Sequence, residues 1–189
     1  MNESEAISKD PKGLTEAAVE ALAKNIRDWD YHVANETELC HMFFSSFMQL
    51  CDNYALPVSC LKAEIRLHPK GSVDFGIKTI NEDKGQFSVF IEAKTWLRPL
   101  KVSAWSKSNQ SASKRNQCIE DAQRLLRLKN SGACSDSALL ILEQSSSHIR
   151  RLLGGSLKEK GMYFKEIWLD IERPSMGKRK EHLGLIWIL

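Results

Sequence analysis

Leu61, Ala63, Ile65 and Leu67 alternate with Lys62, Glu64, Arg66 and His68, the two-residue period of a strand with one buried face. Pro69-Lys70-Gly71-Ser72 then turns the chain, and residues 73–80 read as a returning strand. Asn81-Glu82-Asp83-Lys84-Gly85 turns it again, and residues 87–96 supply a third strand. Strands joined by turns this short lie side by side as an antiparallel meander. Such a sheet has apolar faces that helices must cover, which restricts the chain to an α/β architecture.

The flanking segments read accordingly. Leu14, Ala17, Ala18, Ala21, Leu22, Ile26 and Trp29 recur at helical spacing over residues 14–29, after a polar stretch, residues 1–13, that reads as a loose tail. Asn35 is placed to cap a second helix with Glu38 three residues on, and Leu39, Met42, Phe43, Phe47 and Leu50 form its apolar face. Residues 97–112 are rich in Ser, Lys and Pro and read as a loop; residues 114–128 read as a helix stopped by Asn130-Ser131-Gly132. Ala138-Leu139-Leu140-Ile141-Leu142 is continuously apolar, the mark of a central strand covered on both faces. Residues 148–160 read as a helix, and residues 164–171 and 183–189 as two closing strands around a basic turn at 173–180. The helical crossover makes the fourth strand parallel to a neighbour, giving a mixed sheet. The division is residues 1–34, tail and helix, and residues 35–189, the α/β unit, within a single domain of 189 residues.

Cys40, Cys51, Cys60, Cys118 and Cys134 are odd in number and form no C-x-x-C pair, which argues against a disulfide framework or a zinc ribbon. The five histidines show no metal-ligand spacing. The start of the chain is polar and acidic, and no apolar run approaches the roughly 20 residues of a membrane span. The expectation is a cytoplasmic protein with no membrane partner and no small organic cofactor.

Asp74 opens the second strand, while Glu92 and Lys94 share one face of the third. Two carboxylates and an ammonium on adjacent strands suit a hard divalent cation. The acid-x-Lys tripeptide alone is uninformative: Asp10-Pro11-Lys12 lies in the tail and Glu82-Asp83-Lys84 in a turn. Only Glu92-Ala93-Lys94 stands in an apolar strand after a strand that carries Asp. A plain cross-strand ion pair on a polar face is the simpler alternative.

The order helix, three-strand meander with Asp then Glu-x-Lys, helix, strand resembles the PD-(D/E)xK nuclease superfamily, over roughly residues 36–144. The resemblance implies a restriction-endonuclease-like three-layer core, a mixed sheet flanked by helices in the order αβββαβ plus C-terminal strands. It implies Asp74 and Glu92 as ligands of Mg²⁺ or Mn²⁺, with the carbonyl of Ala93 as a third, and Lys94 as the residue that positions or helps deprotonate the attacking water. Glu38, or Glu36, stands where many members add an acidic residue; Glu38 serves equally well as a capping-box residue. Val73 replaces the Pro of the motif name. Gln117 and Gln123 are candidate supports of the site, but Asp121 and Arg127 follow them where one exonuclease branch has Tyr.

Between Glu92 and Glu120 the chain has no acidic residue. Lys94, Arg98, Lys101, Lys107, Lys114 and Arg115 fall there, interleaved with Trp96 and Trp105, a composition that suits a phosphate backbone and stacked bases. Lys178, Arg179 and Lys180 form a second basic group. Net charge is only +3, so distribution carries this reading. The expected function is metal-dependent hydrolysis of phosphodiesters, with a DNA endonuclease of a restriction, repair or mobile-element system first. An RNA-cleaving nuclease, or an inactive nuclease-fold module that binds nucleic acid or protein, is the alternative. The apolar residues 183–189 suit either a core strand or the edge of a homodimer.

Overall fold

A computed structural model describes residues 10–67, 71–78, 87–96, 104–143, 148–176 and 180–189; for 104–111, 148–150 and 176 it describes the backbone only. Helix α1 is Pro11–Asp28 and α2 is Glu36–Tyr54. Strands β1 (Leu61–Arg66), β2 (Ser72–Ile77) and β3 (Phe87–Trp96) follow, then α3 (Ala104–Asn130), β4 (Cys134–Glu143), α4 (His148–Glu159), β5 (Phe164–Glu172) and β6 (Lys180–Ile188). Among the described residues the fold is α/β, a mixed six-stranded sheet in the order β1-β2-β3-β4-β6-β5 with four α-helices. Among the described residues no helix is long and apolar enough to cross a membrane.

β1, β2 and β3 pair antiparallel, and β4 pairs parallel with β3 through the α3 crossover. β6 then inserts between β4 and β5, antiparallel to both. Residues 183–189, legible as core strand or dimer edge, thus lie inside the sheet, apart from Leu189 just beyond β6.

The alternation of β3 and β4 sorts their side chains between two cores. Val89, Ile91, Ala93, Ala138, Leu140 and Leu142 pack with α1 and α2. Phe90, Trp96, Leu139 and Ile141 pack with α3 and α4. Helices on both faces explain why residues 138–142 of β4 are apolar without interruption. Fully buried residues such as Leu22, Phe43, Phe75 and Leu125 each contribute on the order of 2 kcal/mol through the apolar area they remove from water.

Two segments depart from the sequence reading. Pro11–Gly13 belong to α1 rather than to a tail, because a proline in the first turn forfeits no helical hydrogen bond. Helix α3 begins at Ala104, so the second half of the loop expected at 97–112 is helical. Its Ser- and Lys-rich composition lacks apolar periodicity, and a helix nucleated further along extends through it.

Candidate functional site

A local change of face at Asp74 shapes the site. Leu61 and Phe75 belong to the α1/α2 core, whereas Val73 and Ile65 belong to or pack against the α3/α4 core, although strand parity would keep each pair on one face. The pairs Ala63↔Phe75 and Ile65↔Val73 leave Glu64 opposite Asp74, and Glu64 has a φ of 51°. A left-handed backbone at a non-glycine residue inside a strand costs on the order of 1 kcal/mol. It falls opposite Asp74, where the two strands change face.

The β2–β3 ladder runs through Phe75↔Ile91. At the next position the Asp74 side chain takes over from the backbone, its Oδ2 accepting from the Ala93 amide at 2.7 Å. This holds Asp74 against the same stretch of β3 that carries Glu92 and Lys94.

Lys94 is the hub of the cluster. Its ammonium lies 3.1 Å from Glu36 Oε1, 3.4 Å from Asp121 Oδ2 and 3.8 Å from Glu92 Oε2. Arg124 donates from Nη2 to Glu92 Oε1 and, at 3.0 Å, to Asp121 Oδ1, and from Nη1 to the Ser72 carbonyl. Lys114 reaches Glu36 Oε2 at 4.0 Å. Four carboxylates, Glu36, Asp74, Glu92 and Asp121, thus face three cations, drawn from α2, β2, β3 and α3.

Electrostatics follow from this crowding. Glu92 is 3% exposed; burial first and the charge of Asp74 second push its pKa up to about 8, against the pull of Arg124 and Lys94. Burial disfavours the charge on Lys94, but Asp121, Glu36 and Glu92 outweigh it and hold the ammonium above the ordinary lysine range. Lys94 is therefore held as a charged hydrogen-bond donor at neutral pH. Burial, then Asp74 and Glu36, raise Cys40 to about 12, so that neighbouring thiol is no nucleophile.

Among the described residues no group of three or more His, Cys, Asp or Glu side chains is arranged to hold a metal ion. Mg²⁺, however, commonly takes one or two carboxylates and completes its shell with water and phosphate. Asp74 and Glu92, two carboxylates on adjacent strands, fit such an ion in donor chemistry.

The structure brings Asp74, Glu92 and Lys94 together, with the Ala93 amide bound to Asp74. It corrects Glu38: that carboxylate accepts from the Ala34 amide at 2.8 Å while the Glu38 amide donates to Asn35 Oδ1, so Glu38 is a cap. Glu36, two residues earlier, is the α2 carboxylate on Lys94. Trp96 is also corrected: it is 7% exposed and packed under α3, leaving no indole face for a base. Lys180 sits 2.5 Å from Glu172 and 4.0 Å from Asp170, neutralised by β5. Gln117 is exposed and Gln123 and Arg115 half-buried on α3. Trp105 and Lys107 lie on the α3 backbone, their side chains outside the described residues, as are Arg98, Lys101, Lys178 and Arg179 altogether.

Asp121 and Arg124 are the cluster residues that sequence reasoning did not assign to the site. Their three-residue spacing beside the buried stripe Cys118, Ala122 and Leu125 places them on the edge of the sheet-facing side of α3, which is the available signal. Comparison with protein-family models, with curated proteins and with solved structures gave no match.

Proposed function

We propose that the chain is a metal-dependent nuclease with a restriction-endonuclease-like core, hydrolysing phosphodiester bonds in nucleic acid, DNA first. The observation that carries this reading is the convergence of Asp74, Glu92 and Lys94, from two adjacent strands, on one buried charged cluster. Asp74 and Glu92 would hold Mg²⁺ or Mn²⁺, which when bound lowers the pKa of a water and offsets charge on the phosphate. In hydrolysis the water oxygen bonds to phosphorus, one P–O ester bond breaks, and the leaving oxygen departs with a proton. Lys94, kept protonated by its carboxylate neighbours, would donate to the attacking water or to a non-bridging phosphate oxygen as charge builds. Glu36 and Asp121 would orient that ammonium, and Lys114 on the rim would steer the polyanion.

The pairing of Arg124 with Glu92 favours a second reading, a nuclease-fold module that binds nucleic acid without cutting it, because a guanidinium already satisfies one of the two key carboxylates. Supercoiled plasmid separates the two. Relaxation in Mg²⁺ or Mn²⁺ that stops with chelator supports the nuclease; a gel shift in Ca²⁺ with no relaxation in either ion supports the binding module. Neither relaxation nor shift with DNA or RNA contradicts both.

A further inference from the structure

A shallow cavity of about 240 Å³ opens beside the charged cluster, between α2 and the β1–β2 pair. Thr37, Cys40, His41 and Phe44 line its helical wall, the i, i+3, i+4, i+7 stripe that one helix face presents. Ala63 and Glu64 form the opposite wall, and Glu36 and Asp74 belong both to this cavity and to the cluster.

The chemistry of the walls is selective. Glu36, Glu64 and Asp74 give the cavity a negative lining that repels phosphate and accepts hydrogen bonds from amino groups, as acidic side chains do with the exocyclic amine of cytosine. Phe44 is 39% exposed and offers a ring to stack on. The volume is below the roughly 300–1,000 Å³ of clefts that take drug-sized molecules, and suits one flat heterocycle. The cations Lys94 and Lys114 both pair with Glu36, a residue of its lining. Base and phosphate of a single nucleotide thus find complementary groups around one carboxylate.

We infer that this cavity binds an unpaired, amino-bearing nucleobase next to the phosphate to be cleaved, so that the substrate is nucleic acid with a single-stranded or extruded nucleotide rather than continuous duplex. The inference rests on the nuclease reading. A base inside a duplex is stacked and beyond reach of a side pocket, whereas a bulge or single strand presents it at little cost.

The test uses two oligonucleotide duplexes of one sequence, one fully paired and one with a single bulged fluorescent purine analogue, titrated with the full chain in Ca²⁺. Wild-type protein should bind the bulged probe about tenfold more tightly and change its fluorescence by stacking, and Phe44→Ala should remove that preference and that change. Equal wild-type affinity for the two probes, or a preference that survives Phe44→Ala, overturns the cavity assignment and leaves the nuclease reading standing. Binding of neither probe removes the nuclease reading and the inference with it.

Discussion

Lys94 Nζ lies 3.1 Å from Glu36 Oε1, a contact between residues 58 apart in sequence that ties the centre of β3 to the first turn of α2. Glu38 sits in the same turn but spends its carboxylate on the Ala34 amide. The two acids should therefore separate in experiment. Glu36→Gln should lower cleavage by about 10–100-fold, the usual effect of losing a partner that orients a reacting group, with little change in stability. Glu38→Ala should cost about 1 kcal/mol in urea unfolding and leave the cleavage rate of the folded protein as it was.

The pH dependence of stability carries the mark of Glu92. Its folded-state pKa is raised from 4.5 to about 8, so the folded state holds a proton that the unfolded state has released. The resulting contribution is fully present below 4.5 and is lost as pH rises through about 8. Glu92→Gln keeps the neutral form at every pH. The stability of wild type relative to this variant should fall by a few kcal/mol between about pH 5 and about pH 9 in urea titrations; a constant difference contradicts the assignment.

Arg124 bridges Glu92 and Asp121. Arg124→Ala leaves both carboxylates short of a partner in a largely buried place, at a cost of about 3–5 kcal/mol. The penalty should be larger above pH 8, where Glu92 is ionised, than near pH 5. Denaturant midpoints at the two pH values measure it.

Away from the site, Arg173 and Glu181 form a buried pair at 2.9 Å, 3% and 0% exposed, that joins the ends of β5 and β6, while Arg173 also donates to the Asp30 carbonyl between α1 and α2. Arg173→Met alone should cost about 3–5 kcal/mol through the uncompensated Glu181, and the double change Arg173→Met with Glu181→Leu should recover most of it. Thermal or urea unfolding of the two variants decides.

Some of this was legible and some was not, for physical reasons. The alternation in β1 and β3 and the unbroken apolar run of β4 reveal strands because a pleated sheet imposes a two-residue period and a central strand is covered twice. The same alternation puts Glu92 and Lys94 on one side. It does not reveal which side α3 covers, so Trp96 read as a base-stacking residue when it is core, and Asp121 and Arg124 were not assigned to the site. The insertion of β6 between β4 and β5 leaves no local trace in residues 180–188, since register between distant strands is settled by packing. Glu36 and Glu38 were inseparable as site candidates until the cap geometry at Asn35 assigned one of them.

Whether Asp74 and Lys94 act together in cutting phosphodiesters is read from nicking of supercoiled plasmid in Mg²⁺ by wild type, Asp74→Ala and Lys94→Ala, all shown folded by circular dichroism. Wild type should nick the plasmid in a metal-dependent way, and each variant should lose at least about 100-fold. Wild-type protein that leaves the plasmid supercoiled, or variants that nick it as fast as wild type, would overturn the nuclease reading.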